Sequence, residues 1–238
     1  MTHTQLAALK KKYSISISEG NMKLKSKTGE HAFLIFNLPA IKTCPEATQN
    51  CKRLCYARKA ERIYPNALQA RENNYIASLK SDFVANMNTI ICGYMELSKN
   101  KNIPVYFRIH EAGDFYSPEY FNKWVNIMVM CKHFKNLHFN FYTKSIDFIS
   151  EYFSSYEQFK ANIPNCGINI SVWDDSPEKI HNFINSGKWP VYTASTAELM
   201  PELLRMPGNK KCTCKDCARC RMCLYPHNSP FTKICEIH

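Results

Sequence analysis

The sequence lacks two kinds of segment that would assign it to a class at once. Its N-terminus does not resemble a secretory signal peptide, and no apolar run approaches the roughly 20 residues needed to span a bilayer. A small secreted domain held by disulfide bonds and a membrane protein are therefore both disfavoured. We expect a cytoplasmic protein with no membrane partner, whose 238 residues are enough to bury a core.

Cysteine is abundant instead, with twelve residues, and half of them lie near the C-terminus. Four follow one another at three-residue intervals and two flank them: Cys214, Cys217, Cys220 and Cys223, with Cys212 before the run and Cys235 after it. A short loop with this spacing can direct several thiolates at one centre, as in iron–sulfur and structural zinc sites. Residues 208–238 are therefore predicted to form a metal-binding segment, packed on a domain made of residues 1–207.

The spacing of the tail cysteines also bears on the metal. The run resembles the bacterial ferredoxin pattern, but its last interval is two residues, and Pro226 comes three residues after Cys223 rather than next to it. Zinc ribbons usually separate two C-x2-C pairs by a long spacer, and the run has no such spacer. We expect one or two [4Fe-4S] clusters, with zinc as the alternative metal.

A second group of thiols, Cys44, Cys51 and Cys55, lies far upstream. Three ligands leave a tetrahedral site incomplete, so either a tail cysteine closes it or the fourth position is open to water, substrate or a cofactor. The other three cysteines lie in apolar contexts and are predicted to be buried structural residues: Cys92, Cys131 and Cys166.

The net formal charge is +11, and the basic residues are clustered. They crowd the N-terminus, the upstream thiols and the tail: Lys10, Lys11, Lys12, Lys23, Lys25 and Lys27; Lys52, Arg53, Arg58, Lys59 and Arg62; Lys210, Lys211, Lys215, Arg219 and Arg221. This distribution suits a nucleic acid or another polyanion. It also suits the neutralisation of negatively charged thiolate clusters, and both interpretations stay open.

Alternating strand and helix patterns predict an α/β fold. Five apolar, β-rich runs cover residues 32–38, 103–109, 137–142, 167–172 and 190–192. Helical patterns separate most of them, with N-cap signals at Ser117-Pro118 and Ser176-Pro177 and a stop at Gly187. This alternation predicts a parallel sheet with helical crossovers, and five or six strands favour a partial βα barrel over a complete one.

Polar residues follow the predicted strands at their carboxyl ends, where sites gather in parallel βα folds. The second strand ends in Arg108, His110, Glu111, Gly113 and Asp114, and the third is followed by Lys144. We expect His110, Glu111 and Asp114 to act in catalysis. We expect Arg108, His110, Gly113 and Lys144 to bind a cofactor. The alternative to these functional roles is a structural one, in which Arg108 and Glu111 form an ion pair with each other.

A cysteine loop after the first strand, followed by the strand end H-E-A-G-D at 110–114, resembles the radical S-adenosylmethionine enzymes. Cys51 and Cys55 match the first interval of their C-x3-C-x2-C motif, but Arg58 occupies the third position, so Cys44 would have to supply the third thiol. The resemblance implies a three-cysteine [4Fe-4S] cluster with S-adenosylmethionine on its open iron, an external electron donor, and contact between the 110–114 segment and the exchangeable ligand.

The chain also resembles the phage and prophage gene product 88 family. The resemblance rests on C-K-R-L-C-Y-A-R-K-A-E-R at 51–62, on R-I-H-E-A-G-D-F at 108–115 and on the cysteine-rich tail ending in a histidine. It implies a mobile-element origin and joint use of the two cysteine groups, and it names no substrate.

Two functions follow from these patterns. The first is a radical-SAM-like enzyme that acts on nucleic acid. The second is a non-catalytic nucleic-acid-binding module whose metal, fully ligated by the protein, holds its loops together. An open iron would favour the enzyme, and a fourth thiolate would favour the module.

Overall fold

The structure is a computed structural model. It describes residues 1–20, 29–99, 102–187, 189–195, 200–205, 209–212 and 232–236, with the backbone alone for 195, 200, 202, 203, 209, 210 and 232–236. The helices are α1 (His3–Tyr13), α2 (Gln49–Arg53), α3 (Tyr56–Ile63), α4 (Pro65–Leu79), α5 (Phe83–Lys99), α6 (Pro118–Cys131), α7 (Ile146–Ser150), α8 (Tyr156–Asn162), α9 (Glu178–Gly187) and α10 (Met200–Arg205). The strands are β1 (Ile17–Ser18), β2 (Ala32–Phe36), β3 (Val105–Ile109), β4 (Leu137–Thr143), β5 (Cys166–Val172), β6 (Val191–Ser195), β7 (Asn209–Lys211) and β8 (Thr232–Glu236).

The five predicted strands are confirmed as β2–β6. Three further strands, β1, β7 and β8, were not predicted. They are two to five residues long and carry no clear apolar alternation, so their pairing depends on the neighbouring strand rather than on local sequence. Both β7 and β8 flank the cysteine-rich run, and they extend the same sheet beyond β6.

The eight described strands form one sheet in the order β1-β2-β3-β4-β5-β6-β8-β7. Among these strands only β1 pairs antiparallel, with β2, and every other pairing is parallel. Strands β2 to β6 lie side by side in chain order. Because right-handed crossovers between strands in chain order place their helices on the same side, one sheet face is covered by helices.

Alternate strand residues form the core on that helical face. In β4, which reads L-H-F-N-F-Y-T, Leu137, Phe139 and Phe141 pack in the main core, whereas the residues between them point to the opposite face. Helix α6 supplies the other side of the core through Phe121 and Trp124, both fully buried. Burial of these large apolar side chains is the main force that holds the helices on the sheet.

Both predicted helices are present, as α6 and α9, but only one of the two predicted serine caps is confirmed. Ser117 caps α6 by accepting a hydrogen bond from the Tyr120 amide at 3.2 Å, with Pro118 in the first turn. Ser176 instead accepts from the Trp173 amide at 2.8 Å, so its side chain closes a turn. In the described residues, no helix is both long enough and apolar enough to cross a bilayer.

Candidate functional site

The loop after β2 carries the upstream cysteines. Residues 39–55, called the thiol loop below, start at the carboxyl edge of the sheet, where β2–β6 end, and include the short helix α2. Thr48 caps α2 by accepting a hydrogen bond from the Cys51 amide at 3.2 Å. Cys44, Cys51 and Cys55 are half-buried and form no disulfide bond. The thiol loop therefore brings three reduced thiols to this edge.

Cys51 lies between the other two thiols and close to Lys144. It interacts electrostatically with Cys44 and Cys55, and the Lys144 ammonium interacts with Cys44 and Cys51. Burial, followed by the nearby Asp114 carboxylate, raises the pKa of Cys44 to about 12. Burial also raises the pKa of Cys51, against the opposing effect of Lys144. Both thiols are therefore protonated at neutral pH, and a metal that bound them would release protons.

Thiols are suitable ligands for an iron–sulfur cluster or zinc, but their present arrangement does not form a metal site. Within the described ranges, no group of three or more His, Cys, Asp or Glu side chains is placed to hold a metal ion. Cys212 follows β7, and Cys235 lies in β8, where its backbone pairs with Ala194. The four cysteines of the run lie outside the described residues: Cys214, Cys217, Cys220 and Cys223.

The remaining cysteines are placed much as predicted. Cys131 and Cys166 are fully buried, and Cys92 is half-buried on α5. Cys131 donates a hydrogen bond to Asn88 Oδ1 at 3.3 Å. The prediction of buried thiols is thus confirmed for Cys131 and Cys166, whereas Cys92 is only partly buried.

Lys144, a predicted cofactor-binding residue, lies with the thiols. It follows β4, is buried, and donates a hydrogen bond from Nζ to Ser171 Oγ of β5 at 3.2 Å. Its ammonium lies 5.8 Å from the centroid of the Trp173 ring. Lys144 therefore brings a positive charge to the edge where β2, β4 and β5 end.

Asp114, predicted to be catalytic, is buried and fully engaged by the protein. Its Oδ1 accepts from the Phe115 amide at 2.8 Å and from Thr143 Oγ1 at 2.6 Å, and its Oδ2 accepts from the Lys144 amide at 3.0 Å. Burial raises its pKa, although these hydrogen bonds oppose the rise. The carboxylate joins the end of β3 to the end of β4, which is a positioning role.

Gly113, predicted to bind a cofactor, is where the H-E-A-G-D segment touches the thiol loop. Its φ is +86°, and a Cβ there would lie 2.6 Å from Leu38 Cβ and 2.7 Å from Thr43 Oγ1. The neighbouring backbone binds the same loop, because the Asp114 amide donates to the Thr43 carbonyl at 3.1 Å. Only glycine combines this backbone conformation with this close approach.

We expect Gly113→Ala to lower the free energy of unfolding by about 1–3 kcal/mol, because it adds overpacking to backbone strain. Gly29→Ala is the matched control: its φ is +74°, but nothing lies within 4 Å of the added Cβ. Urea denaturation of the two variants measures the difference. An equal loss in both would show that contact with the thiol loop does not matter.

His110, predicted to be both catalytic and cofactor-binding, lies away from the thiols. Its φ is +67°, and its ring is buried on the helical face, 4.9 Å from the Phe115 ring by centroids. Nε2 is 2.8 Å from Tyr120 Oη. Burial, with a smaller effect of Arg108, lowers the pKa of His110 to about 3, so the ring is neutral. His110 therefore belongs to the core, and the proposed site does not include it.

Arg108 and Glu111 interact electrostatically at the edge of the sheet. Arg108 lies over the Tyr142 ring at 4.8 Å from its centroid and donates from Nε to the His110 carbonyl at 3.2 Å. The Glu111 amide donates to Asn37 Oδ1 at 2.7 Å. The Glu111 carbonyl accepts a hydrogen bond from the Tyr56 hydroxyl. These contacts fix the backbone that follows β3.

Sequence reasoning missed the polar face, the sheet face opposite the helices. Arg108, Asn140 and Tyr142 point to it, and so do Asn169 and Ser171 of β5 by alternation. Asn140 is 2% exposed, and its Oδ1 has no hydrogen-bond partner among the described residues. Such a group is a candidate ligand contact, because an unpaired buried oxygen is costly. The L-H-F-N-F-Y-T alternation of β4 was the signal that could have revealed it.

The thiol loop also contacts the loop after β5. The Asn50 amide donates to Asp175 Oδ2 at 2.8 Å, and Asn50 Nδ2 donates to Asp174 Oδ1 at 3.0 Å. The two acidic residues thus hold the N-terminal end of α2. This contact closes the candidate site on the side of β5.

Comparisons with known proteins point to one family. A family model described as Gene product 88 matches residues 9–225. The chain is 29% identical over 105 residues to the Gene 88 protein of Mycobacterium phage D29, across 43% of this chain and 42% of that protein. It is 28% identical over 89 residues to the Gene 88 protein of Mycobacterium phage L5, across 36% of this chain and 37% of that protein. The matched region thus spans less than half of each relative. No solved structure matches the chain.

Proposed function

The chain belongs to the gene product 88 family, and we propose that this member uses Cys44, Cys51 and Cys55 to hold a [4Fe-4S] cluster at the carboxyl edge of its sheet. The observation that carries the proposal is the clustering of three thiols of one loop: Cys51 interacts electrostatically with both Cys44 and Cys55, and Lys144 lies beside Cys44 and Cys51. Three thiolates are one fewer than a closed cluster needs, which leaves an iron for S-adenosylmethionine.

The strand arrangement supports a radical-SAM-like scaffold. Strands β2 to β6 follow chain order, as the strands of βα barrels do. Hydrogen bonds from Asn50 to Asp174 and Asp175 join loops that follow β2 and β5. In a flat sheet, β2 and β5 would lie three strand spacings apart, or about 14 Å. Curvature of the sheet would bring the loops that follow them closer together. We propose that the sheet curls into a partial barrel, with the polar face inside.

The chain's own residues would bind and orient the cofactor. Lys144 offers a positive charge to a carboxylate, and Asn140 offers an unpaired acceptor to an ammonium group. Their burial limits access of water to a reactive species. When held by Cys44, Cys51 and Cys55, the cluster would supply one-electron reduction of bound S-adenosylmethionine, with the electron taken from an external donor.

Cluster binding also requires two changes in the thiol loop. The Cys44 and Cys51 thiols must lose their protons, against pKa values that burial raises. The loop must also bring the three sulfurs to one centre, since no described group is placed to hold a metal. A negatively charged cluster next to Lys144 would favour both changes.

Anaerobic purification of the full chain tests this proposal. We expect a brown protein that contains iron and acid-labile sulfide. Adding S-adenosylmethionine to the reduced protein is expected to change its electron paramagnetic resonance spectrum, because the cofactor binds the open iron. A colourless protein with stoichiometric zinc would refute the iron–sulfur assignment. A spectrum that does not respond would refute the open iron.

The second candidate is a non-catalytic module in which metal, iron–sulfur or zinc, holds the loops of a nucleic-acid-binding protein. The basic side chains next to Cys51 and Cys55 favour it. In this case a tail thiolate completes the upstream site, and S-adenosylmethionine has no effect on the spectrum. The same spectrum therefore separates the two candidates.

A further inference from the structure

A basic groove lies beside the thiol loop, on the side formed by α2, α3 and the start of α4. Its volume is about 690 Å³. Four cationic side chains and one carboxylate line it: Lys52, Arg53, Arg58, Arg62 and Glu61. The groove is therefore strongly positive, unless Glu61 or other acids neutralise it.

Glu61 does not neutralise these cations, because it is already paired. Its Oε1 accepts from Arg71 Nη1 at 2.8 Å and from the Ala40 amide at 2.8 Å. Both Glu61 and Arg71 are about nine-tenths buried as side chains, at 10% and 11% exposure. Among the described residues, none of the four lining cations forms an ion pair. Arg53 donates from Nη2 to the neutral Asn50 Oδ1 at 3.3 Å, which leaves its charge uncompensated. All four charges can therefore attract an anionic partner.

The spacing of the cations suits an extended polyanion. Arg58 and Arg62 are four residues apart on α3, so they lie on the same face of the helix, and both are exposed. Lys52 and Arg53 continue the positive charge along α2. A row of fixed cations along a groove can bind successive phosphates of a nucleic-acid backbone.

Exposed aromatic rings at the two ends of α3, the helix that carries Arg58 and Arg62, favour a single strand over a duplex. Tyr56 begins α3 and Tyr64 follows its end, and they are 59% and 62% exposed. The Tyr56 ring stays exposed although its hydroxyl is bonded to the Glu111 carbonyl. Rings of this kind stack on unpaired bases, which a duplex does not offer.

The lysines of α1 make a weaker candidate. Lys10 donates from Nζ to the Tyr94 hydroxyl at 3.0 Å, so it is engaged within the protein. Lys12 Nζ lies 5.5 Å from the centroid of the Tyr13 ring, so two of the three lysines already have a partner within the protein.

We infer that the α2–α3 groove binds the phosphate backbone of a single-stranded nucleic acid. The bound strand would pass next to Cys51 and Cys55, and its role as substrate of that site rests on the proposed function. Binding itself requires only the groove.

The test is fluorescence anisotropy of a labelled oligothymidylate of about 20 nucleotides with the anaerobically purified full chain, over a series of salt concentrations. Four phosphate contacts predict a slope of log K against log salt of about −3. Arg58→Gln with Arg62→Gln is expected to reduce the magnitude of the slope by about 1.4 and to weaken binding at least about tenfold near 0.1 M salt. Tyr64→Ala is expected to weaken binding about tenfold, because it removes a stacking ring.

Lys132→Gln with Lys135→Gln is the matched control. It removes the same charge from exposed residues between α6 and β4, at the opposite edge of the sheet, and should leave the slope unchanged. Equal losses in the two double variants, no binding at low salt, or equal affinity for a duplex or for polyglutamate would overturn the inference. Oligonucleotide binding and iron content are also measured for Cys51→Ser. Unchanged binding in this variant would support the groove even if the iron is lost.

Discussion

Asp114→Asn is expected to lower the free energy of unfolding by about 2–4 kcal/mol, because it leaves buried donors unpaired. Both carboxylate oxygens accept from a backbone amide, Oδ1 from Phe115 and Oδ2 from Lys144. Whichever way the new amide is oriented, its NH2 group faces a donor. Chemical denaturation at neutral pH measures the change.

Asp147→Asn is the control for Asp114→Asn. Asp147 is 61% exposed as a side chain and pairs with Lys179 at 2.9 Å, so its loss should cost less than about 1 kcal/mol. If the two variants were equally stable, the carboxylate would not join β3 to β4. Full stability of Asp114→Asn combined with loss of activity would instead restore the catalytic role predicted from sequence.

Cys51→Ser is expected to remove the upstream cluster and its response to S-adenosylmethionine. The serine hydroxyl is a poor ligand for iron, and the Cys51 thiol is the one that interacts with both other cysteines and with Lys144. Iron and sulfide analysis and the electron paramagnetic resonance spectrum measure the loss. Cys92→Ser, which changes a half-buried thiol on α5, should retain both.

Substitution of Cys217 or Cys220 decides how the two cysteine groups are related. If the tail holds a separate cluster, these variants should lose only part of the iron and keep the response, since independent sites behave additively. If loss of either group removes all the iron, both groups build one closed cluster. That result, with no response to S-adenosylmethionine in the unaltered protein, would leave the non-catalytic module as the function.

Local sequence was sufficient for the central strands and, among the helices, for α6 and α9. Strands β2–β6 have apolar residues at core positions, and α6 has both a serine cap and buried residues at helical spacing. These signals come from residues that are neighbours in the chain. The outer strands β1, β8 and β7 carry no such signal, since they are stabilised by pairing with residues distant in the sequence.

Part of the candidate site could likewise be predicted from local sequence, and part could not. The sequence by itself determined that Cys44, Cys51, Cys55 and Lys144 follow parallel strands, and therefore that they share one edge of the sheet. The direction in which each side chain points at that edge depends on the tertiary structure. His110 shows why: a left-handed backbone turns its ring into the aromatic core, where burial keeps it neutral.

The polar face and the basic groove also depended on the tertiary structure. Asn140 lies on the polar face of β4, between β3 and β5, and is 2% exposed there. The cations of α2 and α3 line an uncompensated groove only because Arg71, on α4, pairs with Glu61. A sequence lists which charges and amides a chain carries, but burial and pairing arise between residues far apart in the chain, and these decide which groups remain available to a ligand.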